Sequence, residues 1–443
     1  MMDLGSQRVI VVGLGKSGVA AARLCQSRGA SVLGTDSAPL ERLAPEVSAL
    51  GIELQAGGHD AVRFTEADLV VVSPGVPAFP ALGLAERAGV EVIGELELAC
   101  RFITSPIVAV GGTNGKSTTT TLVGHLLAAA GLTAFVGGNL GEPAALAAGK
   151  SWDAVVLEVS SFQLERAPLF HPRVSVLLNV TEDHLDRYPS FELYADAKGN
   201  AFVNQEPGDS AVIPFGDAVC EEQARRGRGE LLTFGRAGDY AVEGSSVTEA
   251  RSGERFELER AKLHGRHNRH NAAAAIAAVR ALGVTPEAIA LGLGRFEPLP
   301  HRMALCGELG GVRFYDDSKG TNVGAAVTAL SGLSEPRGVL IAGGRDKHGS
   351  YEPLVSALRE RGRAVVVLGE AAPRIFAAVG GALPVEHASD MADAVKRAFR
   401  LAERGDAVLL SPACSSFDMF KSYAERGDRF RDAVERLRTE VSA

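Results

Sequence analysis

An apolar run, Ile107-Val108-Ala109-Val110, passes directly into Gly111-Gly112-Thr113-Asn114-Gly115-Lys116-Ser117-Thr118. A buried strand, a glycine-rich turn and a helix headed by lysine and hydroxyls belong to few folds. Glycines let backbone N–H groups turn inward on an anion, the helix start adds partial positive charge, and Lys116 adds a full one. A hydroxyl of Ser117 or Thr118 is then placed to meet Mg²⁺ beside a nucleotide phosphate. The spacing departs from GxxxxGK[ST], because Val110 stands six residues before Lys116. The plain alternative is a strand-to-helix turn with no ligand.

Similar grammar recurs along the chain. Its 443 residues exceed one core, and at ~150 residues per domain three units are expected. Arg8–Val12 reads as a strand, followed by Gly13-Leu14-Gly15-Lys16-Ser17-Gly18, an Ala-rich helix to about residue 28 and a strand over 31–35; Leu69–Val72 adds another strand. The pattern restarts at Pro106, and strands are expected at 154–157 and 174–178, with Ala272–Ala275 inside a buried helix. A break at Glu297-Pro298-Leu299-Pro300 precedes strands expected at 338–341, 364–368 and 407–410. The reading is α/β throughout: a Rossmann-like domain over 1–105, a P-loop-type domain with a mostly parallel sheet over 106–298, and a second Rossmann-like domain over 299–443.

The first glycine loop is less specific. Gly13-x-Gly15-x-x-Gly18 with Asp36 closing the next strand matches a dinucleotide fingerprint. Lys16 and Ser17 fill its variable positions, and no hydride-transfer apparatus follows. A second phosphorylated or nucleotide-linked ligand, with Ser73-Pro74-Gly75 lining the cleft, competes with NAD and with glycines needed only for packing.

Polar residues stand at the ends of the middle strands. Asn139 follows Gly137-Gly138, Glu158 follows Ala154–Leu157, and Asp183-His184-Leu185-Asp186 follows the 174–178 run. Open α/β sheets bind ligands along that edge, so Glu158 is a hard oxygen donor for Mg²⁺ and His184 a candidate partner. Lys198 is harder to place: with an ordinary pKa of ~10.4 it would repel a metal. It becomes a ligand only if its charge is reversed, as carbamylation by CO₂ would do; otherwise it is a surface lysine.

A net charge of −8 argues against duplex nucleic acid as a partner. No apolar run approaches the ~20 residues of a membrane span, and the first strand begins within a few residues, so no export signal is expected and the cytoplasm is the default. Five scattered cysteines, Cys25, Cys100, Cys220, Cys306 and Cys414, support neither disulfides nor a zinc site and are expected to be buried thiols.

Taken together, Gly112–Thr118, Glu158, Asp183-His184 and Lys198 resemble the Mur ligases along the whole chain. Gly13–Gly18 and Ser411-Pro412-Ala413-Cys414-Ser415-Ser416-Phe417-Asp418-Met419-Phe420 are most similar to the branch that adds D-glutamate to UDP-N-acetylmuramoyl-L-alanine. The resemblance implies an ATP-dependent, monomeric cytoplasmic enzyme of peptidoglycan precursor synthesis. ATP would be held by Gly112, Thr113, Asn114, Gly115, Lys116, Ser117, Thr118, Asn268, Asn271, Arg302 and Asp317. Ser117 and Glu158 would hold one Mg²⁺, and His184 with carbamylated Lys198 a second; Lys116, His184 and Lys198 would be catalytic. The UDP-linked substrate would meet Gly15, Lys16, Ser17, Asp36, Ser37, Gly75, Asn139 and His184. D-glutamate would meet Lys319, Thr321, Lys347, Ser416 and Tyr423. The alternatives are a sister ligase with another amino acid, and a small-molecule kinase that stops at phosphoryl transfer.

Overall fold

In the computed structural model, the residues described are 4–183, 187–261, 263, 265–346 and 349–442. Three sheets follow one another along the chain. The first contains β1 (Arg8–Val12), β2 (Ser31–Asp36), β3 (Glu53–Ala56), β4 (Leu69–Val72) and β5 (Glu91–Gly94), all parallel, in the order β3-β2-β1-β4-β5. Uninterrupted apolar strands such as Leu69-Val70-Val71-Val72 suit a sheet covered on both faces. The order reverses at β1/β4, and there the Ser73 hydroxyl donates to the Gly13 carbonyl at 2.7 Å, closing a crevice at the strand ends.

The middle sheet has nine strands: β6 (Ile107–Gly111), β7 (Ala134–Gly138), β8 (Ala154–Glu158), β9 (Val174–Leu177), β10 (Ser210–Pro214), β11 (Glu230–Gly235), β12 (Tyr240–Glu243), β13 (Ser246–Glu249) and β14 (Arg255–Glu257). Their order is β14-β13-β12-β11-β10-β9-β6-β8-β7, parallel from β7 to β12 and antiparallel beyond. Helix Arg266–Ala281 crosses this sheet with Ala272–Val279 completely buried. Its alanines let backbone approach backbone, since a larger side chain at those positions would overfill a close-packed interior.

The third sheet joins β15 (Ala304–Leu309), β16 (Val312–Asp316), β17 (Gly338–Gly343), β18 (Gly362–Leu368), β19 (Val385–His387) and β20 (Ala407–Leu410) in the order β15-β16-β20-β17-β18-β19. All pairs are parallel except the β15/β16 hairpin.

Two expectations need correction. The third sheet begins at Ala304 rather than near Gly338, because an edge hairpin with half-exposed residues lacks the continuous apolar run that marks a central strand. The cysteines are free, but only Cys25, Cys220 and Cys414 are buried. Cys100 ends a helix and Cys306 lies on edge strand β15, so each keeps partial exposure.

Candidate active site

Strand order assembles the site. The glycine loop leaves β6, whose neighbours are β8 and β9; the register pairs Val110 with Glu158 and Gly111 with Leu177. Beyond β8 lies β7, where Gly138 pairs with Glu158. Glu158, Asn139 and the residues after Leu177 therefore converge on the loop although they are scattered over some seventy positions.

Gly112 and Gly115 have φ of 135° and 89°, which side chains other than glycine rarely tolerate. A Cβ on Gly115 would also meet Asn271 Oδ1 at 2.4 Å. The Asn179 side chain clamps the loop from both sides, accepting from Asn114 N at 2.9 Å and donating to its carbonyl at 3.0 Å. Thr113 Oγ1 donates to the Thr181 carbonyl, accepts from Thr181 N, and lies 3.1 Å from the Tyr194 hydroxyl.

Two lysines meet at one oxygen. Lys116 Nζ and Lys198 Nζ both donate to the Gly112 carbonyl, at 2.9 and 3.0 Å, and Lys116 also reaches the Thr113 carbonyl at 2.8 Å. Lys198 is buried, with its ammonium 4.4 Å from the Tyr194 ring centroid. Burial, then the charge of Lys116, holds Lys198 well below the ordinary lysine range, and burial lowers Lys116 as well.

Glu158 is 3% exposed. One oxygen accepts from Asn139 Nδ2 at 2.7 Å, while the other is buried with no partner among the described residues. Such an orphaned acceptor beside the hydroxyl of Ser117 fits a hard cation. Among the described residues no three His, Cys, Asp or Glu side chains form a ready-made metal cage, so serine and carbamate oxygens would have to complete the donor set.

The third domain closes the other wall. Arg302 Nη2 donates to Ser117 Oγ at 2.6 Å, and Asn322 Nδ2 donates to Asp183 Oδ2 at 2.9 Å. Arg302 sits between two residues of positive φ, His301 (61°) and Met303 (49°). This strained backbone is held by the buried His301–Asp316 contact of 2.7 Å and by Lys319 N donating to the His301 carbonyl. Parallel pairing of Asp316 with Leu410 sets Asp317 beside Ser411, whose hydroxyl donates to it at 2.7 Å; burial pushes the Asp317 carboxyl up to about 7.

Residues 113–118, Asn139, Glu158, Asn268, Asn271, Arg302, Asp317, Lys319 and Thr321 all line one cavity of about 530 Å³. Asn271 Nδ2 donates to Asn268 Oδ1 at 3.0 Å within it. Lys319 Nζ lies 3.8 Å from the Tyr423 ring centroid, and Ser416 is buried nearby in the chain, on the segment following β20. The remaining residues of the first loop stand apart. Asp36 spends both oxygens on backbone, accepting from Leu14 N at 2.7 Å and Ala38 N at 2.8 Å, while Gly15, Lys16, Ser37 and Gly75 are exposed and Ser17 half-buried around the first crevice. His184 and Lys347 lie outside the described residues.

Sequence reasoning did not find Asn179, Tyr194 or Arg426. Arg426 is fully buried and donates to Ser318 Oγ, the Ser318 carbonyl and the Cys414 carbonyl, so it welds the loops after β16 and β20. No spacing rule marks it. Asn179 carried a faint signal, being a polar residue just past an apolar strand.

Residues 7–94 match the N-terminal domain of MurD-like Mur ligases, 110–279 the Mur ligase middle domain and 301–414 the Mur ligase glutamate ligase domain. The UDP-N-acetylmuramoylalanine–D-glutamate ligase of Geobacter metallireducens is 45% identical, with 99% of each chain covered. That of Anaeromyxobacter dehalogenans is 46% identical, covering 99% of this chain and 98% of its own. The chain belongs to the Mur ligase family. Its three-sheet fold is also that of solved family members: the MurF ligase of Thermotoga maritima in complex with ADP (TM-score 0.62, 20% identity, 99% and 100% covered) and the UDP-N-acetylmuramate-alanine ligase MurC of the same organism (0.60, 22%, 98% and 100%). No helix among the described residues is long and apolar enough to cross a membrane.

Proposed function

We propose that the chain is an ATP-dependent ligase that joins D-glutamate to UDP-N-acetylmuramoyl-L-alanine, a cytoplasmic step in peptidoglycan precursor synthesis, and that it works as a monomer. The observation that carries this reading is full-length identity of 45% to ligases of that name, with the phosphate loop, Glu158, Arg302 and Lys319 lining a single cavity. In this reading the chain divides near residues 105 and 298 into domains for the UDP-linked substrate, for ATP and for the amino acid.

The alanyl carboxylate of the substrate attacks the γ-phosphorus of ATP, the bond to the bridging oxygen breaks, and ADP leaves. The amine of D-glutamate then adds to the acyl phosphate carbon and phosphate departs. Ser117 and Glu158 would hold one Mg²⁺, and His184 with carbamylated Lys198 a second. Bound Mg²⁺ supplies charge neutralisation on the triphosphate. The loop N–H groups and Lys116 hold the phosphates, and Arg302 brings a second cation to the transferring group. Asn268, Asn271 and Asp317 bind the nucleoside end. Lys319, Thr321, Lys347, Ser416 and Tyr423 bind D-glutamate.

Lys198 is prepared for its role by its setting. Carbamylation needs a neutral amine, and burial beside Lys116 disfavours the ammonium; the carbamate then replaces repulsion by attraction. The third domain shields the acyl phosphate from water through the Arg302–Ser117 and Asn322–Asp183 contacts.

The test is ADP release with ATP, UDP-N-acetylmuramoyl-L-alanine and D-glutamate, each omitted in turn and D-glutamate replaced by other amino acids. ADP formed equally well without any amine, or with another amino acid in preference, rejects the assignment.

A further inference from the structure

A second cavity, of about 350 Å³, lies between the middle and third domains. Its walls come from the end of β11, the β12–β13 turn, the first turn of helix Arg266–Ala281 and residues 332–334 of the third domain. Three arginines, Arg236, Arg266 and Arg269, line it together with His270, and among the described residues no carboxylate does.

That composition is unusual for this chain. Many surface arginines elsewhere sit against acids, as in Arg225–Glu221, Arg251–Glu230 and Arg255–Glu257, and the net charge is −8. The side chains of Arg236 and Arg266 make no hydrogen bond or ion pair among the described residues, and that of Arg269 has a single bond, from Nη1 to the Gly244 carbonyl at 2.7 Å. Arg236 and Arg266 are exposed and Arg269 is half-buried around this space, and an anion placed among them would accept several charge-assisted hydrogen bonds. The forked geometry of arginine favours phosphate oxygens.

The cavity is separate from the nucleotide pocket yet adjoins it. His270 lines both. Its neighbour His267, on the nucleotide side, packs against the glycines of the second cavity: a Cβ on Gly332 would fall 2.7 Å from His267 Nδ1, and one on Gly265 2.9 Å from its Cε1. His267 Nδ1 is buried without a partner among the described residues, and burial, then His270 and Arg302, push its ring down to about 4. A neutral ring thus separates the two spaces.

We propose that this cavity is a second anion site, which takes a small molecule bearing phosphate or diphosphate and holds it between the middle and third domains. It goes beyond the ligase reading and does not depend on the identity of the amino acid.

The test fills the nucleotide pocket first. Inorganic phosphate, and separately pyrophosphate, are titrated calorimetrically into the full chain saturated with a non-hydrolysable ATP analogue, for the parent and for Arg236→Gln/Arg266→Gln. The expected result is saturable binding of one anion per chain, weakened about tenfold or more in the double variant, with the affinity for the ATP analogue and the basal rate of ADP release unchanged. Tighter binding of pyrophosphate identifies a diphosphate group as the natural ligand, and tighter binding of phosphate a monophosphate. Absence of saturable binding to the parent, or equal binding by the double variant, overturns the proposal.

Discussion

Replacing Arg302 by alanine removes a guanidinium that reaches from the third domain to Ser117 on the phosphate loop, at 2.6 Å. Its field acts on Lys116 as well, and Glu158 and Asp317 act on it in turn; in the proposed reaction it meets the transferring phosphoryl group. A full charge about 4 Å from a phosphoryl oxygen contributes about 4 kcal/mol at an effective dielectric constant of about 20. The barrier should therefore rise by an amount equal to about a thousandfold in rate. Arg302→Lys keeps the charge on a shorter, unforked group and should recover only part of this. Initial rates of ADP release, with kcat and KM for ATP separated, measure the effect. The loss should fall mainly on kcat if the contact strengthens in the transition state. The thermal stability of the unliganded variant should fall by no more than the loss of one charged hydrogen bond explains, about 1.5–3 kcal/mol. A variant that keeps kcat/KM within tenfold of the parent would refute the placement of Arg302 on the transferring group.

Three further outcomes are expected. Lys198→Ala should lose activity and regain part of it when short carboxylates such as formate or acetate are added, because they restore the negative charge of a carbamate; an unrescued variant with full activity rejects that role. Glu95 is 1% exposed, one of its oxygens lacks a partner among the described residues, and burial pushes its pKa up from 4.5 to about 7. Its folded pKa exceeds the unfolded one, so its contribution is intact below about pH 4.5 and is lost as pH rises through about 7, by up to about 3 kcal/mol. Glu95→Gln keeps an acceptor for Ala145 N, 2.6 Å away, and should raise the melting temperature at pH 8 but not at pH 4; equal effects at both would contradict the cause. Finally, a Cβ on Gly18 would lie 1.8 Å from the Gly13 carbonyl, so Gly18→Ala should displace the first loop and abolish calorimetric binding of the UDP-linked substrate, whereas an unchanged affinity would show that the loop does not hold it.

Local chemistry was legible wherever a strand ends in glycines. The stretch from Ile107 to Thr118 announces its strand, loop and helix in order, and Arg8–Val12 with Gly13–Gly18 does the same, because φ > 0 and close backbone approach admit few residues other than glycine. Glu158 was visible as a charge ending an apolar strand. The strands β12–β14 and the hairpin β15/β16 were not, since these short strands are interrupted by polar residues and lack a continuous apolar signature.

The sequence alone determined that glycine-rich loops follow the strands Arg8–Val12 and Ile107–Gly111, and that acids and a lysine lie downstream of the second. Only the tertiary structure decided that Lys116 and Lys198 share one carbonyl oxygen, that Arg302 touches Ser117 across 185 residues, and that Asp36 serves its own loop's backbone. Local spacing governs φ, helix starts and strand ends. Distances between residues far apart along the chain depend on strand order, and strand order is settled by how whole sheets bury their faces.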